Sequence, residues 1–251
     1  MVFFSYELWR GSRLKIGVVG DFNRLYVSQE ATNDALNHSI ASSGAQIEYE
    51  WIPTAAITEQ LAAITDTYRG FWIAPGVLES ISGVLQIIQY ARENNVPLIG
   101  TCGGFQTIML EYAQNKLMLE EADHEEFNPD ATTLVINKLT CSLLGQQGEV
   151  FIKSPSLVSG IYDHAASTVE QFRCSYGLNP EYEAAIHHSG LKIVGADAEG
   201  KPRIAELSGH RFFIGTLFVP QLSSTPEKPH CLVNAFVEQA SHAQVTKTLP
   251  G

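Results

Sequence analysis

The sequence lacks any surplus of positive charge. Its 16 lysines and arginines stand against 27 aspartates and glutamates, a net charge of −11, and no basic run interrupts that balance. A nucleic-acid surface is excluded on this ground. Long apolar runs are missing too. No stretch approaches the ~20 residues that cross a bilayer, and the opening MVFFSYELWR carries Glu7 where a signal peptide would continue its apolar segment. Cysteine is scarce. Cys102, Cys141, Cys174 and Cys231 are far apart in sequence and none forms a CxxC pair. Neither a zinc site nor a disulfide framework is expected, and reduced thiols in a cytoplasm fit best. Repeats, low-complexity segments and an interdomain linker are also absent. With 45% hydrophobic and 17% charged residues, the chain has the balance of a molecule that buries a core. One α/β domain over 1–251, with its core at about 14–240, is the expected organisation.

What is present is one stretch around which the rest is arranged, Pro97-Leu98-Ile99-Gly100-Thr101-Cys102-Gly103-Gly104-Phe105-Gln106. Residues 97–99 are apolar and short, as a buried parallel strand is. Phe105, Ile108, Met109 and Tyr112 then recur at helical spacing, so a helix begins almost at once. Gly100 and Gly104 lie two positions either side of Cys102. Small residues there allow a tight turn that holds the central side chain at the strand's C-terminal edge, the logic of a nucleophile elbow. A thiol at such a corner meets the positive end of a helix dipole, which favours the thiolate. A single cysteine is often no more than a small buried hydrophobe. The strand–corner–helix context is what makes Cys102 a candidate nucleophile.

Ahead of this stretch, residues 14–20 (LKIGVVG) read as a buried strand, 21–28 as a loop, and Ala31, Ala35 and Leu36 mark a helix that closes near Gly44. Residues 46–52 alternate as a second strand, and Ile57, Leu61 and Ile64 mark a short helix. Residues 70–74 (GFWIA) form a third strand stopped by Pro75-Gly76, and Ile81, Val84, Leu85 and Ile88 mark another helix. Strand and helix alternate four times, which predicts a parallel sheet covered on both faces, with its crevice at the strands' C-terminal ends. Asp21, Gly76 and Cys102 fall at such ends.

After Asn115 the rhythm changes. The acidic run EEADHEE at 120–126 reads as a solvated loop. Residues 131–139 and 149–153 read as strands of an inserted or antiparallel part, 154–170 as loop and 181–187 as a short helix. Residues 191–196, 203–207 and 211–218 read as three more strands with turns at Gly200 and Gly209, the last ending at Val219-Pro220-Gln221. Leu232, Val233, Phe236, Val237 and Ala240 mark a closing amphipathic helix, and the polar tail from Ser241 is expected to fray.

This order of strand, elbow cysteine, later strands and proline-containing strand end resembles the class I glutamine amidotransferases, in particular the C-terminal glutaminase domain of CTP synthase. KIGVVGDFNRLYVS is similar to that domain's opening strand and loop, and His38 matches in the helix after it. APG at 74–76 resembles the start of a PGG motif, and GTCGGFQ resembles GICLGMQ. ADHEEF at 122–127 resembles ANSTEF, and SSTPEKPHCLVNAF resembles STPRDGHPLFAGF. The resemblance implies a flavodoxin-like α/β fold, a mostly parallel sheet with helices on both faces and some antiparallel strands, and no cofactor or metal. It implies Cys102 as nucleophile, backbone N–H groups of Val77 and Gly103 as oxyanion donors, and Gly76, Gln106, Glu126 and Tyr176 around a glutamine-like amino acid or amide. Glu126 would grip the amino group. It also implies pyrimidine metabolism. The amidoligase domain that consumes ammonia is not in these residues, so a separate synthase-type partner and a homo-oligomer both stay open.

The departures bear on chemistry. Where the family carries QFHPE, with a general-base His and a Glu that orients it, this sequence has Leu217-Phe218-Val219-Pro220-Gln221. Val219 takes the histidine's place and Gln221 the glutamate's. Valine accepts no proton, and a neutral amide does not stabilise an imidazolium. The family stretch RHRHRYEVN is here 171–179, QFRCSYGLN, which keeps Tyr176 and Asn179 but has Ser175 before the tyrosine. Two readings follow: a degenerate amidotransferase with impaired or altered amide hydrolysis, or a non-catalytic metabolite-binding or partner module. His124, His164 and His230, expected in loops, and His187 and His188, expected on a helix, are the candidates for a substitute base. His230 is the first to inspect, because it follows the active-site strand.

Overall fold

The structure, a computed structural model, describes residues 14–243. The expectations for the opening MVFFSYELWR and for the tail beyond 243 lie outside the described residues. The apolar runs of the first half form β1 (Leu14–Val19), β2 (Ile47–Ile52), β3 (Gly70–Ile73) and β4 (Leu98–Thr101). They alternate with α1 (Val27–Ser43), α2 (Ile57–Thr67), α3 (Ile81–Glu93) and, after the elbow, α4 (Gly103–Asn115). The second half supplies β5 (Ala122–His124), β6 (Thr133–Lys138), β7 (Gln147–Ile152), α5 (Leu157–Ile161), β8 (Ser167–Gln171) and β9 (Tyr176–Leu178). It continues with α6 (Pro180–His188), β10 (Leu191–Ala196), β11 (Pro202–Leu207), β12 (Phe213–Thr216) and α7 (Cys231–Ser241).

Nine strands form one sheet in the order β2-β1-β3-β4-β12-β11-β10-β7-β8. It is parallel from β2 to β12 and antiparallel beyond. Adjacent residues of β3 show why its strands carry no polar face. Successive side chains point to opposite sides of a sheet. Phe71 meets Tyr90 of α3 at 6.5 Å between ring centroids, and Trp72 meets Phe236 of α7 at 6.0 Å. Helices therefore cover both faces, and an apolar residue suits every position. α1 packs beside α7 on one side, and α2 and α4 flank α3 on the other. Among the described residues no helix is long and apolar enough to cross a membrane.

Two stretches differ from the sequence reading. The acidic run 120–126 is not all loop. β5 lies within it, and Ala122 and His124 face inward while Asp123 between them is only partly covered. β5 pairs with β6, which pairs with β9, in a small second sheet. The alternation is only three residues long, so the surrounding charge hides it. Residues 154–170 hold α5 and most of β8. In β8 the usual pattern is inverted: Val169 is exposed and Glu170 is buried, so polarity gives no inward signal.

The elbow is closely packed. A Cβ on Gly100 would lie 2.6 Å from Ile108 Cδ1 and 2.7 Å from the Gly104 carbonyl oxygen. A Cβ on Gly104 would strike the carbonyl oxygen of Ile73 on β3. Behind them, Arg92 of α3 donates to the fully buried Glu111 of α4 from Nη2 at 2.7 Å and Nε at 3.1 Å, a charged tie that locks the two helices. Gly104→Ala forces helix or strand to shift and should lower unfolding stability by about 1–3 kcal/mol. A urea midpoint equal to that of the unsubstituted chain would contradict this packing.

Candidate active site

β4 delivers the chain to the corner. The Cys102 N–H donates to the Thr216 carbonyl of β12 at 2.8 Å, and its carbonyl accepts from Gln106 N–H at 3.3 Å, opening α4. Cys102 has φ 55° and ψ −107°, a conformation that costs a non-glycine residue on the order of 1–3 kcal/mol. The packed glycines and the two backbone bonds hold it there. The result is a partly exposed cysteine at the positive end of a helix, at the C-terminal edge of a parallel strand.

Gly76 and Val77 reach the same corner. Gly76 N and O lie 4.0 and 3.9 Å from where a Gly103 Cβ would stand. The turn after β3 therefore lies within a methyl group's reach of the start of α4. Gly76 has φ 123°, a value that requires glycine, and a Cβ there would meet Gln29 Nε2 at 2.6 Å. Gln29 donates to the Pro75 carbonyl at 2.9 Å and so props the turn from α1. Val77, the next residue, is exposed. Asp21 is a second prop. Its carboxylate accepts from the N–H groups of Thr54 and Glu79, both at 2.8 Å, which joins three loops at the crevice edge.

Gln106 and Tyr176 come together, with a residue that sequence reading placed in a loop. Gln106 Nε2 donates to the Tyr176 carbonyl at 2.9 Å, and Gln106 Oε1 is 3.1 Å from His124 Nε2. The Tyr176 ring is 5.2 Å from the His124 ring. His124 Nδ1 accepts from the Glu126 N–H at 3.1 Å, so the proton lies on Nε2 and is donated to Gln106. Gln106 is thus buried, with one hydrogen bond at each end of its amide. The Glu126 side chain is exposed; its backbone, not its carboxylate, is tied to this cluster.

Val219 and Gln221 follow β12. Val219 is completely buried, and its N–H donates to the Gln171 carbonyl at 2.8 Å. Gln221 is also buried. Its Nε2 donates to Thr32 Oγ1 at 3.0 Å and Thr101 Oγ1 at 3.2 Å, while its Oε1 has no partner. It ties α1 to the residue before Cys102. The histidines are occupied elsewhere. His230 caps α7 by accepting from Leu232 N–H at 3.3 Å and stands 3.3 Å from the buried Glu170. His38 meets Ser224, His164 meets Ser159, and His187 accepts from Ile193 N–H.

The structure corrects one expectation about the thiols. Cys102 and Cys174 are separated by 72 positions, yet their sulfurs are in contact and their Cα atoms are 6.1 Å apart. The other polar neighbour of the Cys102 sulfur is the Arg173 carbonyl at 3.6 Å. Cys174 is buried against the Leu217 carbonyl, 3.1 Å from its sulfur. Sequence reading missed Cys174 because no spacing motif links it to Cys102. The one signal was its place in the 171–179 stretch beside Tyr176.

Burial pushes His124 from 6.5 down to about 4. Between those values the unfolded chain binds a proton that the folded chain excludes. Stability is then fully present above about pH 6.5 and is lost as pH falls toward 4, by on the order of 3 kcal/mol over the window. His124→Gln should flatten the urea midpoint between pH 4 and 6.5. An unaltered pH slope would show that His124 does not carry this dependence.

The family model for glutamine amidotransferase class-I matches residues 28–239. CTP synthase from Methanopyrus kandleri is 31% identical over 233 residues, covering 86% of this chain and 43% of the relative. CTP synthase from Drosophila melanogaster is 30% identical over 236 residues, covering 85% and 38%. The chain therefore spans less than half the length of these curated relatives. Among solved structures, the glutaminase domain of Trypanosoma brucei CTPS with bound acivicin superposes with a TM-score of 0.85 at 22% identity, covering 92% of this chain and 95% of that one. A glutamine amidotransferase from Thermotoga maritima superposes at 0.59 with 8% identity, covering 92% and 100%. These structures share the α/β fold described above, and the family model spans most of the sequence: the chain belongs to the class I glutamine amidotransferase family.

Proposed function

We propose that this chain is a CTP synthase-like glutaminase domain whose Cys102 pocket takes a glutamine-like amino acid or amide, and whose ordinary glutamine hydrolysis is impaired or altered. The observation that carries the reading lies opposite the elbow. Val219 is sealed in the core and Gln221 spends its amide on Thr32 and Thr101. Amide hydrolysis through a thiol needs a nucleophile, oxyanion donors and a group that hands a proton to departing ammonia. Cys102 supports the first role, and the N–H groups of Val77 and Gly103 support the second. Neither an aliphatic side chain nor a neutral amide fills the third. Loss of the histidine from a comparable hydrolytic triad lowers kcat by about a million-fold. A thiol ionises more readily than a hydroxyl, which makes the expected loss here smaller.

One observation favours a second reading, a non-catalytic metabolite-binding or partner module in a cytoplasmic setting. The Cys102 sulfur already has Cys174 against it, where an attacking sulfur needs free space. The partner side of either reading rests on length. The relatives are more than twice as long as the matched region, which supports a glutaminase-like unit that serves a synthase-type partner, free or as an oligomer.

The test is turnover of glutamine by purified, fully reduced protein, followed as glutamate and ammonia beside a CTP synthase assayed in parallel. The expected kcat is lower by roughly a thousand-fold or more. The double substitution Val219→His with Gln221→Glu should raise it. Turnover at the comparator's rate that disappears in Cys102→Ala would refute the impairment.

A further inference from the structure

The pairing of Cys102 with Cys174 has a chemistry of its own, independent of whether glutamine is hydrolysed. Their Cα separation of 6.1 Å lies inside the 4.4–6.8 Å range that disulfides occupy, so a bond needs no backbone movement. Both backbones are anchored. Cys102 N–H is held by Thr216 at 2.8 Å, and the Cys174 carbonyl accepts from Leu143 N–H at 3.0 Å. The two sulfurs differ in access. Cys102 is partly exposed at the N-terminus of α4. Cys174 is 1% exposed, so a dissolved oxidant meets Cys102 first.

We infer that Cys102 and Cys174 form a reversible dithiol–disulfide couple, a site of thiol–disulfide exchange in which Cys102 meets the oxidant and Cys174 resolves the adduct. The oxidant is a small-molecule disulfide. Cys102 thiolate attacks one of its sulfurs, forming a mixed disulfide and expelling the first thiolate, which takes up the proton that Cys102 gave away. Cys174, deprotonated in turn, attacks the Cys102 sulfur. The protein disulfide forms, and the second small thiol leaves with the Cys174 proton. Two protein thiols are oxidised and one external disulfide is reduced to two thiols. In the oxidised state the elbow sulfur is capped and no longer a nucleophile.

The other two cysteines supply internal controls. Cys231 has its thiol pushed up to about 11 by burial, which keeps it protonated and slow. Cys141 is exposed and reports non-specific exchange. The experiment equilibrates the full chain with glutathione disulfide, quenches with an alkylating agent and maps the peptides by mass spectrometry. The expected result is a Cys102–Cys174 crosslink that replaces alkylated Cys102 and returns to two free thiols on addition of dithiothreitol. Cys174→Ser should instead hold glutathione on Cys102. Persistence of both alkylated thiols at full oxidant, or a crosslink that runs through Cys141, would overturn the couple. The map of the unsubstituted protein decides the matter even where Cys174→Ser fails to fold. Because the readout is a crosslink and not ammonia, the couple and the glutaminase reading stand or fall separately.

Discussion

Helix α4 lies against β4 and β3 only because residues 100 and 104 have no side chains. The Gly104 Cα faces the Ile73 carbonyl so closely that a methyl group has no room, and Gly100 is closed off by Ile108 and the Gly104 carbonyl. That contact forces the chain to turn within one residue. Cys102 absorbs the turn with a left-handed φ, and its side chain is thereby placed at the strand's edge with the helix N-terminus behind it. The Arg92–Glu111 pair fixes α3 against α4 from the far side. The crevice, the sulfur's accessibility and the approach of the Gly76 turn all descend from this one close approach.

What surrounds the sulfur is a set of polar ties that hold structure. Gln221 joins α1 to β4 through two threonine hydroxyls. Gln106 joins α4 to the small sheet through His124 and Tyr176. His230 caps α7 and faces Glu170. In each case a side chain that could have served chemistry makes its hydrogen bonds inside the protein, although Gln221 Oε1 is left without a partner. Buried polar groups carry such commitments because an unmet donor or acceptor costs more than a met one gains. The Cys102 sulfur, by contrast, has a carbonyl and a second sulfur as its polar neighbours among the described residues. That leaves thiol exchange as a reaction the site has all the protein atoms for.

The parts of this arrangement that could be read from sequence share one trait: they are local. LKIGVV, GFWI and LIGT announce covered strands because both faces must be apolar, and the glycines flanking Cys102 announce the elbow because only they tolerate it. β8 could not be read this way. Its inward residue is Glu170, which accepts from Thr168 two positions away but also meets Tyr162 and His230, 8 and 60 positions away. β5 was hidden by charge, since three residues of alternation do not stand out within an acidic run. His124 looked like a loop residue for the same reason.

The amino-acid order by itself determined the alternating α/β frame, the corner at Cys102 and the family pattern around it, including valine and glutamine at positions 219 and 221. Those features depend on periodicity and on residues within a few positions of one another, where covalent geometry limits the outcomes. Tertiary structure alone decided which sulfur faces Cys102, where the amides of Gln106 and Gln221 are spent, and that His230 serves a helix end. Each of these pairs elements far apart in the chain. Their meeting is set by how β12 and the segment before β9 settle against β4, a global packing result that no local pattern encodes.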